Sequence, residues 1–232
     1  MVRLPRAIVY IDGFNLYRRA LSGNPELKWL DLLALSRKLL PEYEIRRVHY
    51  FTSKLKYNAQ SDPSRLTRQE IYFRALRTLS PELAITLGTF RSDDRWMIKL
   101  PLELDQDAGF YKMVRVRKVE EKGSDVNMAI RMIADALQGK CDVSVALTND
   151  SDQVGPLTLL KQEFSQPFGL IYPVPSSRTS KSLEKTGPVF SRFINRDLIM
   201  ESQFPEELVD EKGKFHRPTK WRNSEGPIAG AF

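Results

Sequence analysis

Three stretches of the chain are apolar without interruption, and they set the expected architecture. AIVYI at residues 7 to 11, VSVAL at 143 to 147 and FGLIYP at 168 to 173 do not alternate between apolar and polar positions. That is the pattern of strands covered by helices on both faces. Between them the period changes. Apolar positions from Leu27 to Leu40 predict a helix that stops before Pro41, because the residue ahead of a proline is disfavoured in the helical region. Ile45 to Phe51 predicts a second strand, Asp62-Pro63-Ser64 opens a helix running to about Leu79, and LAITLGTF at 83 to 90 predicts a third strand.

Residues 91 to 120 carry short alternating runs, WMIKL at 96 to 100 and KMVRVRKV at 112 to 119, parted by DQDAG. They predict a hairpin-like insertion. From Ser124 the spacing of Val126, Ile130, Ile133 and Leu137 predicts an amphipathic helix closed by Gly139. The stretch DSDQVGPLTLLKQEF predicts another helix. Strands alternating with helices imply an α/β fold around a central, mostly parallel sheet. Residues 1–175 are expected to form one domain. Residues 176–232 change composition, with the polar, turn-rich PVPSSRTSKSLEKTG, a helical piece in FSRFINRDLIMESQFP and a basic end. They are expected to be a C-terminal extension packed on the domain or trailing from it.

With 232 residues, 41% of them hydrophobic, the chain can bury one substantial core. No run approaches the roughly 18 apolar residues of a membrane span, and MVRLPRAIVYIDGFN suits neither a signal peptide nor an anchor. The single cysteine, Cys141, excludes an internal disulfide and suits a reducing compartment, so the cytoplasm is expected. The formal charge of +7 would attract polyanions. Two histidines, His49 and His216, leave little room for imidazole chemistry. His49 in RRVHYF reads as a partly buried sheet residue and His216 as part of a surface turn. A homodimer is compatible with the sequence, which does not fix the oligomeric state.

The chemistry must therefore rest on carboxylates, amides, hydroxyls and cations. Asp12 follows AIVYI directly, and Asp150 and Asp152 follow VSVAL within five residues. Ligands of open α/β sheets bind at the carboxyl ends of strands, so these groups are expected in one crevice, with Asp125 brought near by the helix before VSVAL. Crowded carboxylates repel unless a cation neutralises them, and hard oxygen donors suit Mg²⁺ or Mn²⁺. Such ions activate water for phosphodiester hydrolysis. Other readings stay open: Asp150 or Ser151 as helix caps, Asp125 answering a helix dipole, Asp12 as a turn residue, Asn15 as a turn residue or as a group orienting Asp12 or substrate. Lys122, Arg115 and Arg117 are the basic groups nearest in sequence that could grip a phosphate backbone.

VYIDGFNLY at 9 to 17, EKGSDVNMAI at 121 to 130 and ALTNDSDQVGPL at 146 to 157 resemble, in order, the three acidic motifs of the NYN (LabA-like) family of the PIN-like nuclease superfamily. The resemblance spans roughly residues 7 to 173. It implies a PIN-like α/β/α sandwich, with Mg²⁺ or Mn²⁺ held by Asp12, Asp125, Asp150 and Asp152. It also implies endonuclease activity on RNA, with single-stranded DNA as a further substrate, and Asn15 and Ser151 orienting water or phosphate. Gly155 stands where many relatives carry glutamate, so a non-catalytic RNA-binding module is the alternative. The tail FHRPTKW resembles that of a bacterial subgroup in which some members carry a succinoylpyridine-hydroxylase label, and an oxidoreductase acting on a small pyridine-type aromatic is the further alternative.

Overall fold

The apolar stretch ahead of Asp12 becomes β1 (Arg6–Asp12), the middle strand of a seven-stranded sheet. A computed structural model describes residues 3–55, 62–105 and 108–222. From β1 the chain passes through the short α1 (Gly13–Leu16) and α2 (Leu32–Leu39) to β2 (Glu44–Ser53), then through α3 (Ser64–Arg77) to β3 (Leu83–Ile98). The tip elements β4 (Leu104–Asp105) and β5 (Phe110–Tyr111) lead into β6 (Met113–Lys122), and α4 (Ser124–Leu137) crosses back to β7 (Val143–Leu147). There follow α5 (Val154–Phe164), β8 (Phe168–Tyr172), α6 (Lys181–Glu184), β9 (Phe190–Phe193), α7 (Arg196–Met200), β10 (Glu207–Asp210) and β11 (Gly213–His216).

The sheet order is β6-β3-β2-β1-β7-β8-β9, and every neighbouring pair is parallel except β3 with β6. This is the α/β sandwich that the alternation of patterns predicts. Alternate residues of β1 serve opposite layers. Ala7, Val9 and Ile11 join the core with α2 and α3, while Ile8 and Tyr10 join Met128, Met132, Leu157 and Leu160 of α4 and α5. Each fully buried large aliphatic side chain contributes about 1.5–3 kcal/mol, which is why the buried positions 7 to 11 of β1 are apolar apart from the Tyr10 hydroxyl, whose proton Asp135 accepts.

Three expectations change in detail. The first helix is α2 alone, shorter than the apolar spacing suggests, because Asp31 Oδ1 accepts the N–H groups of Leu33 and Ala34 at 2.9 Å each and so starts the helix after Trp29 and Leu30. The strand expected to end at residue 90 runs on into the first alternating run, and its second half pairs only with β6, from Thr89↔Lys122 to Ile98↔Met113. Of the apolar stripe on α4 expected to face the core only Ile133 packs against it: Val126, Ile130 and Leu137 are exposed, and Ser124, Met128, Met132 and Asp135 are buried. Asp135 can be buried because Arg131, Lys140 and the Tyr10 hydroxyl all bond its carboxylate.

Beyond residue 175 the chain completes the fold. It supplies β9 to the main sheet, and it covers Trp29, which is fully buried against Phe204 and Trp221 while its indole N–H donates to the Pro205 carbonyl at 2.8 Å. His49 is buried in β2 beside the Tyr10 ring, where burial lowers its pKa to about 4 and keeps it neutral. Among the described residues no helix is long and apolar enough to cross a membrane.

Candidate active site

From β1 the chain moves to β2 on one side, whereas β7 lies on the other side. Strand order reverses here, and the loops leaving β1 and β7 part above their carboxyl ends. A crevice is the geometric result. It is a cleft of about 510 Å³ walled on one side by Asp12, Phe14, Asn15, Arg18 and Arg19, and on the other by Phe90, Val119, Glu120, Glu121 and Lys122, with Asp125 and Asp150 between.

Asp12 is buried at the cleft floor. Its Oδ1 accepts the Asn15 N–H at 2.9 Å, capping α1, and its Oδ2 accepts the Thr148 hydroxyl at 2.9 Å. The same Thr148 oxygen accepts the Asp150 N–H at 3.0 Å, so Asp12 and Asp150 stand two hydrogen bonds apart although 138 positions separate them in the chain. Asn15 Oδ1 accepts the Asn149 N–H at 3.1 Å and fastens the two loops together. Gly13 makes the turn after Asp12 feasible: a Cβ there would sit 2.6 Å from the Phe51 carbonyl oxygen.

Burial raises the Asp12 pKa, opposed by the bonds from Asn15 and Thr148. Asp125, half-buried in the first turn of α4, is pushed to about 6, first by burial and then by the negative charges of Asp12, Asp150, Glu121 and Asp152. A carboxyl group poised there accepts and returns protons near neutrality. Glu121 is fixed by the Ser53 hydroxyl at 2.9 Å and the Ser124 hydroxyl at 2.8 Å. Its carboxylate lies over Gly88, where a Cβ would meet it at 2.0 Å.

The structure thus brings together Asp12, Asn15, Lys122, Asp125 and Asp150. The others do not line the cleft, although the Asp152 charge still acts on Asp125. Asp152 and Ser151 are exposed and lie outside the cleft lining, Asp152 donating its N–H to the Asp150 cap at 3.1 Å. Arg115 and Arg117 lie further along β6, each paired with Asp94, at 3.2 and 2.9 Å. Among the described residues no three His, Cys, Asp or Glu side chains converge as a ready set of metal ligands.

Sequence reasoning overlooked Thr148, Phe14, Phe90, Glu121, Arg18 and Arg19. The Phe14 and Phe90 rings meet edge to face at 5.8 Å, and the Arg18 guanidinium stands 6.0 Å from the Phe14 ring centre. Neither Arg18 nor Arg19 forms an ion pair among the described residues. The adjacent arginines one turn after Asp12 were a usable signal, whereas Phe90 reaches the cleft only through strand pairing.

No protein-family model matches the chain. Among solved structures it is similar to a protein of unknown function from Vibrio parahaemolyticus, with a TM-score of 0.50 and 15% identity over 85% of this chain and 97% of that one. That likeness supports the α/β sandwich alone. Among curated proteins it is similar to the 6-hydroxy-3-succinoylpyridine 3-monooxygenase HspA of Pseudomonas putida, 28% identical over 93% of this chain and 75% of that protein. The latter finding overturns the expected activity. Metal-dependent cleavage of RNA by a Mg²⁺ or Mn²⁺ nuclease is corrected, because the similarity over nearly the whole chain leads to an oxygen-inserting enzyme. The physical reason is that carboxylates at the ends of parallel strands are proton acceptors as readily as metal ligands, so their residue types do not select between the two chemistries.

Proposed function

We propose that the chain is an oxidoreductase, a monooxygenase acting on a small aromatic of the pyridine type at the cleft above β1 and β7. The observation that carries this reading is the similarity to the succinoylpyridine monooxygenase across 93% of the chain. The cleft supports it in three ways. Phe14 and Phe90 offer ring faces and edges to a flat substrate. The Arg18 and Arg19 guanidinium groups, free of acidic partners among the described residues, suit an acidic arm on that substrate. Asp125, with its pKa near 6, suits removal of a proton from a ring hydroxyl or nitrogen, which enriches the ring in electrons.

The reaction is balanced by dioxygen and a two-electron reductant. One oxygen atom enters the substrate, and the other leaves as water with two electrons and two protons. A flavin or redox-active metal would supply the activation of dioxygen. In this reading the three motifs that resemble the NYN family build the cleft, and the fold is kept while the chemistry differs. The lone cysteine, Cys141, is buried and unpaired, which suits a reducing cytoplasm.

The test is incubation of the purified chain with 6-hydroxy-3-succinoylpyridine, reduced nicotinamide nucleotide with and without added flavin, and ¹⁸O₂. Mass spectrometry should find one labelled oxygen in the product. Absence of labelled product under every combination would overturn the proposal.

A further inference from the structure

β6 is the outermost strand of the sheet, and among the described residues its outer edge faces no other strand. The ribbon it forms with the second half of β3 also lacks a third strand. A two-stranded ribbon is marginal in water, and a long open edge is a template for pairing with another chain. Among its charged side chains this ribbon also sets large apolar ones in solvent. Trp96 and Ile98 of β3, and Met113 and Val119 of β6, are exposed, Val119 at 59%.

The charges of β6 are segregated about Val119. Arg115, Arg117 and Lys118 precede it, and Glu120 and Glu121 follow it. Residues directly opposite in an antiparallel pair share a face. Turned about a twofold axis through Val119 and laid against itself, the strand sets Lys118 opposite Glu120 of the partner subunit and Arg117 opposite Glu121 of the partner subunit. Val119 then meets its own copy, and each charged contact occurs twice. At present Arg117 pairs with Asp94, Lys118 with Glu120, which Lys122 and Arg95 also approach, and Glu121 accepts from Ser53 and Ser124; the ion pairs are solvent-accessible on their basic side. Such pairs contribute about 0–1 kcal/mol and exchange readily.

We propose that two copies of this chain join edge to edge through β6, continuing the sheet across the twofold axis. The open edge of β6 from Val116 to Lys122 then gains backbone partners in an isologous interface, the kind a twofold dimer has. Val119, Glu120, Glu121 and Lys122 also wall the cleft, so strand addition at this edge stiffens one side of it. The proposal does not depend on which reaction the cleft performs.

Light scattering across a concentration series tests it. The unaltered chain should reach twice its 26.7 kDa mass. Lys118→Glu places two like-charged contacts across the axis and should raise the dimer dissociation constant by roughly tenfold to a hundredfold. The double variant Lys118→Glu/Glu120→Lys restores the complement within one chain and should restore the dimer, and an unchanged far-ultraviolet circular dichroism spectrum of the single variant shows that it folds. A chain monomeric throughout the series, or a dimer indifferent to Lys118→Glu, overturns the proposal. So does a dimer lost only in Ile130→Asp, which would place the interface on the exposed stripe of α4.

Discussion

The Thr148 hydroxyl donates to Asp12 Oδ2 at 2.9 Å and at the same time accepts the Asp150 N–H at 3.0 Å, so a single oxygen ties the loop after β1 to the loop after β7. Thr148 is fully buried. A buried carboxylate that loses a donor, and a backbone N–H that loses its acceptor, each leave a desolvated polar group behind. Thr148→Val keeps the shape and removes both bonds. It should cost about 1–3 kcal/mol in urea unfolding, and it should lower turnover, since the Asp12 pKa rises further without the hydroxyl that holds it down.

Asp125 links stability to pH in a definite direction. Its pKa in the fold, about 6, lies above the usual 3.8, so the folded state binds the proton more tightly than the unfolded chain. The stabilisation is complete at low pH and is lost as pH rises from about 4 to about 6. Asp125→Asn removes the charge. Above about pH 7 the variant should be more stable than the unaltered protein by about 1–2 kcal/mol, a value reduced from the full linkage because the group is half-buried and screened by solvent. The difference should vanish below about pH 4. A stability gap that stays constant with pH would refute this assignment.

The same group should shape the rate. If Asp125 takes the substrate proton, kcat/KM of the unaltered enzyme rises with pH to a plateau above about 6. Asp125→Asn should flatten that limb and reduce kcat by roughly 10²-fold to 10⁴-fold.

Arg18 offers a separation of binding from turnover. Arg18→Ala should raise KM for a pyridine bearing a carboxylate arm by about tenfold to a hundredfold, the worth of one charged hydrogen bond. A neutral amide analogue should be nearly unaffected. Equal losses for both compounds would show that the guanidinium acts on the fold rather than on the anion.

Gly155 sits in the first turn of α5 with open space around the position a Cβ would take. Gly155→Ala should therefore stabilise the protein by about 0.4–1 kcal/mol, by restricting the unfolded chain, readable as a higher midpoint in urea.

Much of this arrangement was legible before any coordinates. The continuous runs of β1, β7 and β8 exposed the parallel sheet because strands covered on both faces have no polar side to show. The position of Asp12 and Asp150 at the ends of two such strands was enough to place them in one crevice. The stripe on α4 misled for a physical reason. Its apolar residues have helical spacing, yet the helix buries Met128 and Met132 with a carboxylate, Asp135, whose three partners come from the same helix, the loop after it and β1. A pattern read along one segment does not see such compensation. Phe90, Glu121 and Thr148 escaped because their roles depend on strand register and on hydrogen bonds between loops. The nuclease expectation failed because a cluster of carboxylates states where chemistry happens and leaves open which chemistry that is, whereas the oxidoreductase alternative came from the tail FHRPTKW.

Trp29 gives the last fifth of the chain an unexpected duty. Its indole is roofed by Phe204 and Trp221 and anchored to the Pro205 carbonyl, and it packs in the same core as Ile11, the residue beside Asp12. A fragment cut after Tyr172 would retain every cleft residue named above yet present β8 as a bare margin and uncover a large aromatic of the core that carries Ile11. Shortened versions designed around the acidic motifs should therefore keep the chain through Trp221, for the cleft borrows its rigidity from residues that do not line it.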